Sequence, residues 1–327
     1  MNKKDPGMNG IHRKIKKLKK KIATTQKQAK IVKGKIADRG LADHLTNLKN
    51  SLAWLYLDLG EYDAGLALYR ELPWQTHGEA KYNGMARALI EMEYYDEAGR
   101  LLRKGLKRFP ESTPLLVGMG LLHRRLGYEF DAFKYFESAL EFAPNDRSAL
   151  YDKALALNDL GYHDDALPIL KDLVETYPND PEYLNELGQT YLSAGLPEDS
   201  IPFFQKAKGM GYLAPGIYGG LYCAYMDIGL KNEALDIAQE GIEKLPDGHP
   251  GLYENLAEGC KEFGWINEAR DVLHEGLKRF PDDEGLKKLQ KEIEDKTDNP
   301  DKDKNPPVIG LILLSIILNK FLKKKKG

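Results

Sequence analysis

The sequence predicts an all-α chain, an α-solenoid of seven helix–turn–helix repeats closed by a capping helix, on three observations. A glycine before a charged turn recurs at a near-constant interval, small residues recur at fixed distances from it, and a proline recurs seventeen residues after it. Self-similarity with a period in the twenties to forties marks repeat architectures, in which each unit contacts only its neighbours. A length of 327 residues therefore need not split into several compact domains.

The turn marker falls at Gly60, Glu93, Gly127, Gly161, Gly195, Gly229 and Gly264, with Glu93 standing in for glycine. Successive spacings are 33, 34, 34, 34, 34 and 35. Glycine ends a helix there because it enters the left-handed conformation without a Cβ clash. Numbering the marker 15 within each repeat, position 8 reads Ala53, Ala86, Gly120, Ala154, Gly188, Tyr222 and Ala257. Position 20 reads Gly65, Ala98, Ala132, Ala166, Ser200, Ala234 and Ala269. Small residues at these places let two helices approach within the usual 8–10 Å or so. Position 24 carries Tyr69, Leu102, Phe136, Leu170, Phe204, Ala238 and Leu273, whose bulk in six repeats fills the space the small residues leave. Pro110, Pro144, Pro178, Pro246 and Pro281 stop the second helices, lacking an N–H and clashing with the preceding turn.

These columns resemble the tetratricopeptide repeat family over residues 46–281. The resemblance implies a right-handed superhelix whose concave groove is lined by the first helices, and partner binding in that groove. Three departures stand out. His77 and Tyr212 replace the closing proline in repeats one and five, where loosened turns are expected. Tyr222 takes a small-residue place, which predicts a splayed or shifted sixth hairpin. Residues 282–295 carry Leu286, Leu289 and Ile293 on one stripe and read as a cap for the last hydrophobic face.

Groove positions 5, 9 and 12 then hold Asn50, Trp54, Asn83, Arg87, Arg124, Asn158, Asn185 and Gln189. Asparagine satisfies peptide N–H and C=O groups, and arginine grips a carboxylate with two parallel donors. Arg87 and Arg124 are the expected anion contacts; merely solvated polar positions on the inner face are the alternative. The carboxylate clamp of co-chaperones, which the family resemblance would otherwise suggest, needs lysine at position 5. Here that column is Asn50, Asn83, Val117, Tyr151, Asn185, Gly219 and Glu254.

The ends differ from the repeats. Residues 1–10 read as disordered, and 11–37 as a basic helix with Ile11, Ile15, Leu18, Ile22, Thr25, Ala29, Val32 and Ile36 at heptad spacing. Three roles suit that seam: docking on the first repeat, lying on a membrane surface, or forming a coiled coil. Residues 42–295 hold the solenoid and its cap, and 296–307 a polar linker. The segment 308–322 is a candidate membrane anchor, with Val308, Ile309, Leu311, Ile312, Leu313, Leu314, Ile316, Ile317 and Leu318 as its apolar residues, and 323–327 is a polybasic tail. As a helix, fifteen residues span about 22 Å against a hydrocarbon core of about 30 Å. Lys320 snorkelling and bilayer thinning would reconcile the two. A buried globular helix is the alternative, disfavoured by the place of the run beyond the cap and linker. By the positive-inside rule the lysine tail stays cytoplasmic, which for a full span conflicts with a cytoplasmic solenoid. Either the short tail is translocated or the segment is re-entrant.

Charge follows the same division. Net charge is −2, yet residues 1–40 carry fourteen Lys or Arg against two Asp, and residues 41–300 carry 27 against 46 Asp or Glu. An acidic body disfavours nucleic acid as its partner. Cys223 and Cys260, 37 apart and without a CxxC, read as two buried reduced thiols. No phosphate-binding loop, zinc-protease or hydrolase motif occurs, and no stretch outside the repeats is long enough for a catalytic domain. The expectation is a non-enzymatic scaffold, without cofactor or metal, that binds peptides or helices of partner proteins. Its C-terminal segment would hold it at a membrane with the solenoid facing the cytoplasm, and the basic N-terminal helix could add a second contact. The second reading is a soluble scaffold self-associating through the N-terminal seam.

Overall fold

The computed structural model describes residues 6–32, 39–245 and 248–297. Residues 296–297 of the expected linker end the last helix, and the rest of the linker, the candidate anchor and the tail lie outside the described residues, as do 1–5, 33–38 and 246–247. Among the described residues every regular element is a helix, sixteen in all, and none is long and apolar enough to cross a membrane. Helix α1 is Pro6–Val32. First helices of the repeats are α2 (Arg39–Asp58), α4 (Trp74–Glu91), α6 (Thr113–Arg125), α8 (Arg147–Asp159), α10 (Pro181–Ser193), α12 (Pro215–Asp227) and α14 (Pro250–Glu262). Second helices are α3 (Tyr62–Glu71), α5 (Tyr95–Arg108), α7 (Glu129–Phe142), α9 (His163–Thr176), α11 (Pro197–Gly209), α13 (Lys231–Lys244) and α15 (Ile266–Arg279), with α16 (Glu284–Thr297) following. The chain divides inside α9 into two units, 1–169 and 170–327.

Within each unit, consecutive helices pack as hairpins and each first helix also lies against the next. All seven turn markers have positive φ, from 64° at Glu93 to 80° at Gly161 and Gly229. Each turn closes the same way. The N–H one residue after the marker donates to the carbonyl five residues earlier, as in Tyr128 N–H to His123 O at 2.9 Å and Trp265 N–H to Cys260 O at 2.8 Å. This reversal satisfies carbonyls that a helix C-terminus would otherwise leave open. First helices α6, α8 and α10 start on side-chain caps from Ser112, Asp146 and Asp180.

The small and large columns interlock as their chemistry requires. Tyr69, Phe136 and Phe204 are fully buried. A Cβ at Gly120 would sit 2.4 Å from the Phe136 ring, and one at Gly84 only 2.1 Å from the Tyr69 ring. The sixth hairpin corrects its expectation: α12 and α13 pack closely. Tyr222 and Ala238 are both buried in one cluster, with large and small residues exchanged between the two helices rather than the hairpin opened. The turn after repeat five is likewise closed, not loosened. Gly211 takes φ 78°, and Tyr212 N–H donates to Ala207 O at 3.3 Å. In repeat one, α4 begins at Trp74, leaving only Leu72 and Pro73 between α3 and α4.

The N-terminal helix begins at Pro6, ahead of the expected Ile11, and its seam is occupied. Ile15 and Ile22 are buried with Leu48, Leu52 and Tyr56 of α2, and Leu68 of α3 packs against them. Docking on the first repeat is thus the role this stripe takes. At the other end Leu286, Leu289 and Ile293 of α16 are buried in the cluster of α12 to α15, so the last hairpin has its cap.

Candidate functional site

Four of the expected groove residues of unit 1 lie on α2 and α4. Asn50 and Trp54 sit one turn apart on α2, as do Asn83 and Arg87 on α4, so each pair shares a helix face. Arg87 lies over the Trp54 ring at 5.4 Å, and Trp54 meets the Tyr69 ring edge-on at 6.1 Å. The Arg87 side chain is exposed and forms no ion pair among the described residues. Beside it opens a cavity of about 210 Å³ lined by Leu57, Asp58, Tyr62, Arg87 and Glu91. Glu91 is partly engaged by Arg125, with two contacts of 3.1 Å. The Asn50 side-chain carbonyl is buried without a hydrogen-bond partner, as is the Tyr69 hydroxyl below the site. Burial pushes the Tyr69 hydroxyl well above its ordinary pKa, with the nearby Arg87 charge opposing. It stays protonated.

A buried amide carbonyl without a partner is costly. A stacked guanidinium is held in place by the ring face yet keeps its N–H groups free for a carboxylate.

Three expected contacts have other work. Arg124 reaches Asp159 at 3.2 Å and Asp152 at 3.7 Å, both on α8. Its charge is thus balanced within the protein by two carboxylates. Burial raises the Asp159 pKa and Arg124 opposes that rise. Asn158 meets the His163 ring at 3.3 Å across the α8–α9 turn. In unit 2, Gln189 donates to the Gly216 carbonyl at 2.8 Å, bracing α10 on α12. Asn185 keeps a buried side-chain carbonyl without a partner. It is the unit 2 counterpart of Asn50, at the same repeat position.

Asp58, Tyr62 and Glu91 were not singled out in the sequence. Asp58 and Glu91 stand four residues beyond Trp54 and Arg87. Extending the stripe by one helical turn would have found them. Cys260 is buried and its thiol is pushed up to about 12, whereas Cys223 is exposed, correcting the expectation of two buried thiols.

Residues 147–190, covering α8, α9 and most of α10, match the tetratricopeptide repeat family model. No curated protein sequence matches the chain. Among solved structures, a chain of the APC/C hetero-tetramer Cut9–Hcn1 superposes with a TM-score of 0.63 at 18% identity, over 84% of this chain. The chain carries the tetratricopeptide repeat fold. The match spans 52% of that neighbour, so this chain corresponds to about half of it. Pseudomonas aeruginosa PilF aligns over 67% of this chain and 100% of its own, at 14% identity and a TM-score of 0.56. A tetratricopeptide repeat protein of Parabacteroides merdae aligns over 75% and 98%, at 16% identity and 0.50. At these identities the likeness is one of fold.

Proposed function

We propose that this tetratricopeptide repeat protein is a protein–protein interaction scaffold that binds an extended peptide segment along the first-helix face of unit 1. The observation that carries the reading is Arg87 stacked on Trp54 at 5.4 Å beside a cavity of about 210 Å³. Trp54 is half-buried and Arg87 exposed, so the stacked pair presents a ring edge and a guanidinium to solvent. The peptide lies across α2 and α4, with Asn50 and Asn83 meeting its backbone and Arg87 an acidic side chain or terminus. We further propose that the apolar segment 308–322 holds the scaffold at a membrane with its repeats on the cytoplasmic side. Its support is sequence alone: eleven uncharged, mostly apolar residues from Val308 to Leu318, followed by lysines.

The test is selection of a random peptide library on the full chain, followed by affinity measurement on the Arg87→Ala variant. Loss of a charge-assisted pair of hydrogen bonds is expected to weaken the selected peptides about 10- to 100-fold. Equal affinity for both proteins would reject the site.

A further inference from the structure

Helix α1 spends its apolar stripe on α2 and α3, which leaves a mainly basic face toward solvent. Arg13 and seven lysines between residues 14 and 27 are exposed, over about 21 Å of helix. No Asp or Glu occurs anywhere in α1, and none of these lysines forms an ion pair among the described residues. The surface is therefore an unbalanced cationic ridge on a chain whose residues 41–300 carry 46 acidic against 27 basic residues. Lys16, Lys17 and Lys20 stand on the side of the helix opposite Ile15, Leu18 and Ile22, farthest from α2.

From this arrangement we infer that the outer face of α1 is a peripheral docking surface for an anionic lipid bilayer. Contact is electrostatic, without insertion of the helix. A helix that inserts buries its apolar stripe among acyl chains, and here Ile15, Ile22 and Thr25 are already buried in the protein. Lysines, compact charges on flexible stems, suit headgroups that move laterally to meet them. Residues 1–40 hold no Phe, Tyr or Trp on which bases would stack. The surface rests on the membrane association proposed above but is a contact separate from segment 308–322. Anionic lipid binds the ridge, whereas the apolar segment takes neutral and anionic bilayers alike.

The experiment compares the full chain with Lys16→Gln/Lys17→Gln/Lys20→Gln and with the corresponding Lys→Arg triple variant. Each is sedimented with phosphatidylcholine vesicles, with and without phosphatidylserine. Each lysine near an anionic surface strengthens attachment about fivefold, so the Gln variant is expected to lose about a hundredfold of the phosphatidylserine-dependent partition. The Arg variant is expected to keep it, and salt to release it. Unchanged thermal melting in the Gln variant shows that the fold is intact. Phosphatidylserine dependence that is absent, or equal in the Gln variant, overturns the inference. So does capture of the ridge by polyuridylate in place of vesicles. Failure to bind neutral vesicles instead counts against the C-terminal anchor and leaves the ridge measurement readable.

Discussion

Glu93 offers a test of the turn geometry at an exposed position, where backbone conformation is the main change. It holds φ 64° where six repeats place glycine between 74° and 80°. A residue with a Cβ loses about 1–2 kcal/mol in that region. Glycine relieves this but gains freedom in the unfolded chain, which returns about 0.5–1 kcal/mol. Glu93→Gly is thus expected to stabilise by about 0.5–1 kcal/mol. The reciprocal change is Gly161→Ala, at φ 80° with nothing within 4 Å of the added methyl. Space is not limiting there, so the expected loss is conformational, about 0.5–1 kcal/mol once the same unfolded-chain term is set against the left-handed cost. Urea unfolding of the two variants followed by circular dichroism measures both. Destabilisation by Glu93→Gly, or no cost for Gly161→Ala, would refute the claim that the turn requires a left-handed residue.

Further outcomes follow from packing and burial. Gly84→Ala puts a methyl 2.1 Å from the buried Tyr69 ring and is expected to cost about 1–2 kcal/mol despite a better helix former. Gly219→Ala, inside α12 with nothing within 4 Å, is expected to gain about 0.5–1 kcal/mol; urea midpoints of opposite sign check the pair. Lys81, 3% exposed, donates to the Arg70 and Leu72 carbonyls at 2.8 and 2.7 Å, so Lys81→Met should cost about 1–3 kcal/mol in the same assay. Burial lowers the Lys81 pKa below its ordinary 10.5, so the folded chain binds this proton less tightly than the unfolded one. Wild-type stability relative to Lys81→Met should therefore rise with pH from the lowered value toward 10.5. A disulfide reagent at neutral pH should label Cys223 and spare Cys260 until the chain is unfolded.

The hairpin register was legible because each column answers to a local rule. Gly127 and Gly161 end helices by their own φ, and Ala53 or Gly120 is small because a partner helix lies against it. Glu93 was readable only from its place in the series. The sixth hairpin was not, since Tyr222 looks like a defect until Ala238 is seen beside it in the same cluster. Periodicity likewise gave the stripe on α1 but not its occupant. Heptad spacing says that Ile15 and Ile22 need cover, and cover by Leu48 and Leu52 is a tertiary fact. The ion pairs of Arg124 were not legible for a similar reason. Its partners Asp152 and Asp159 come from the next repeat's first helix, at separations that no local pattern links to it. Arg87 and Trp54 were legible because their positions on neighbouring first helices follow directly from the repeat number.

The central claim is that partners are read by the first helices of unit 1. Photo-crosslinking a library-selected peptide to the full chain, with the attachment points mapped by mass spectrometry, tests it most directly. Attachment within 50–58 of α2 and 83–91 of α4, abolished by Arg87→Ala, is the predicted result. Attachment confined to the second helices α3, α5 and α7, unaffected by that substitution, would contradict it.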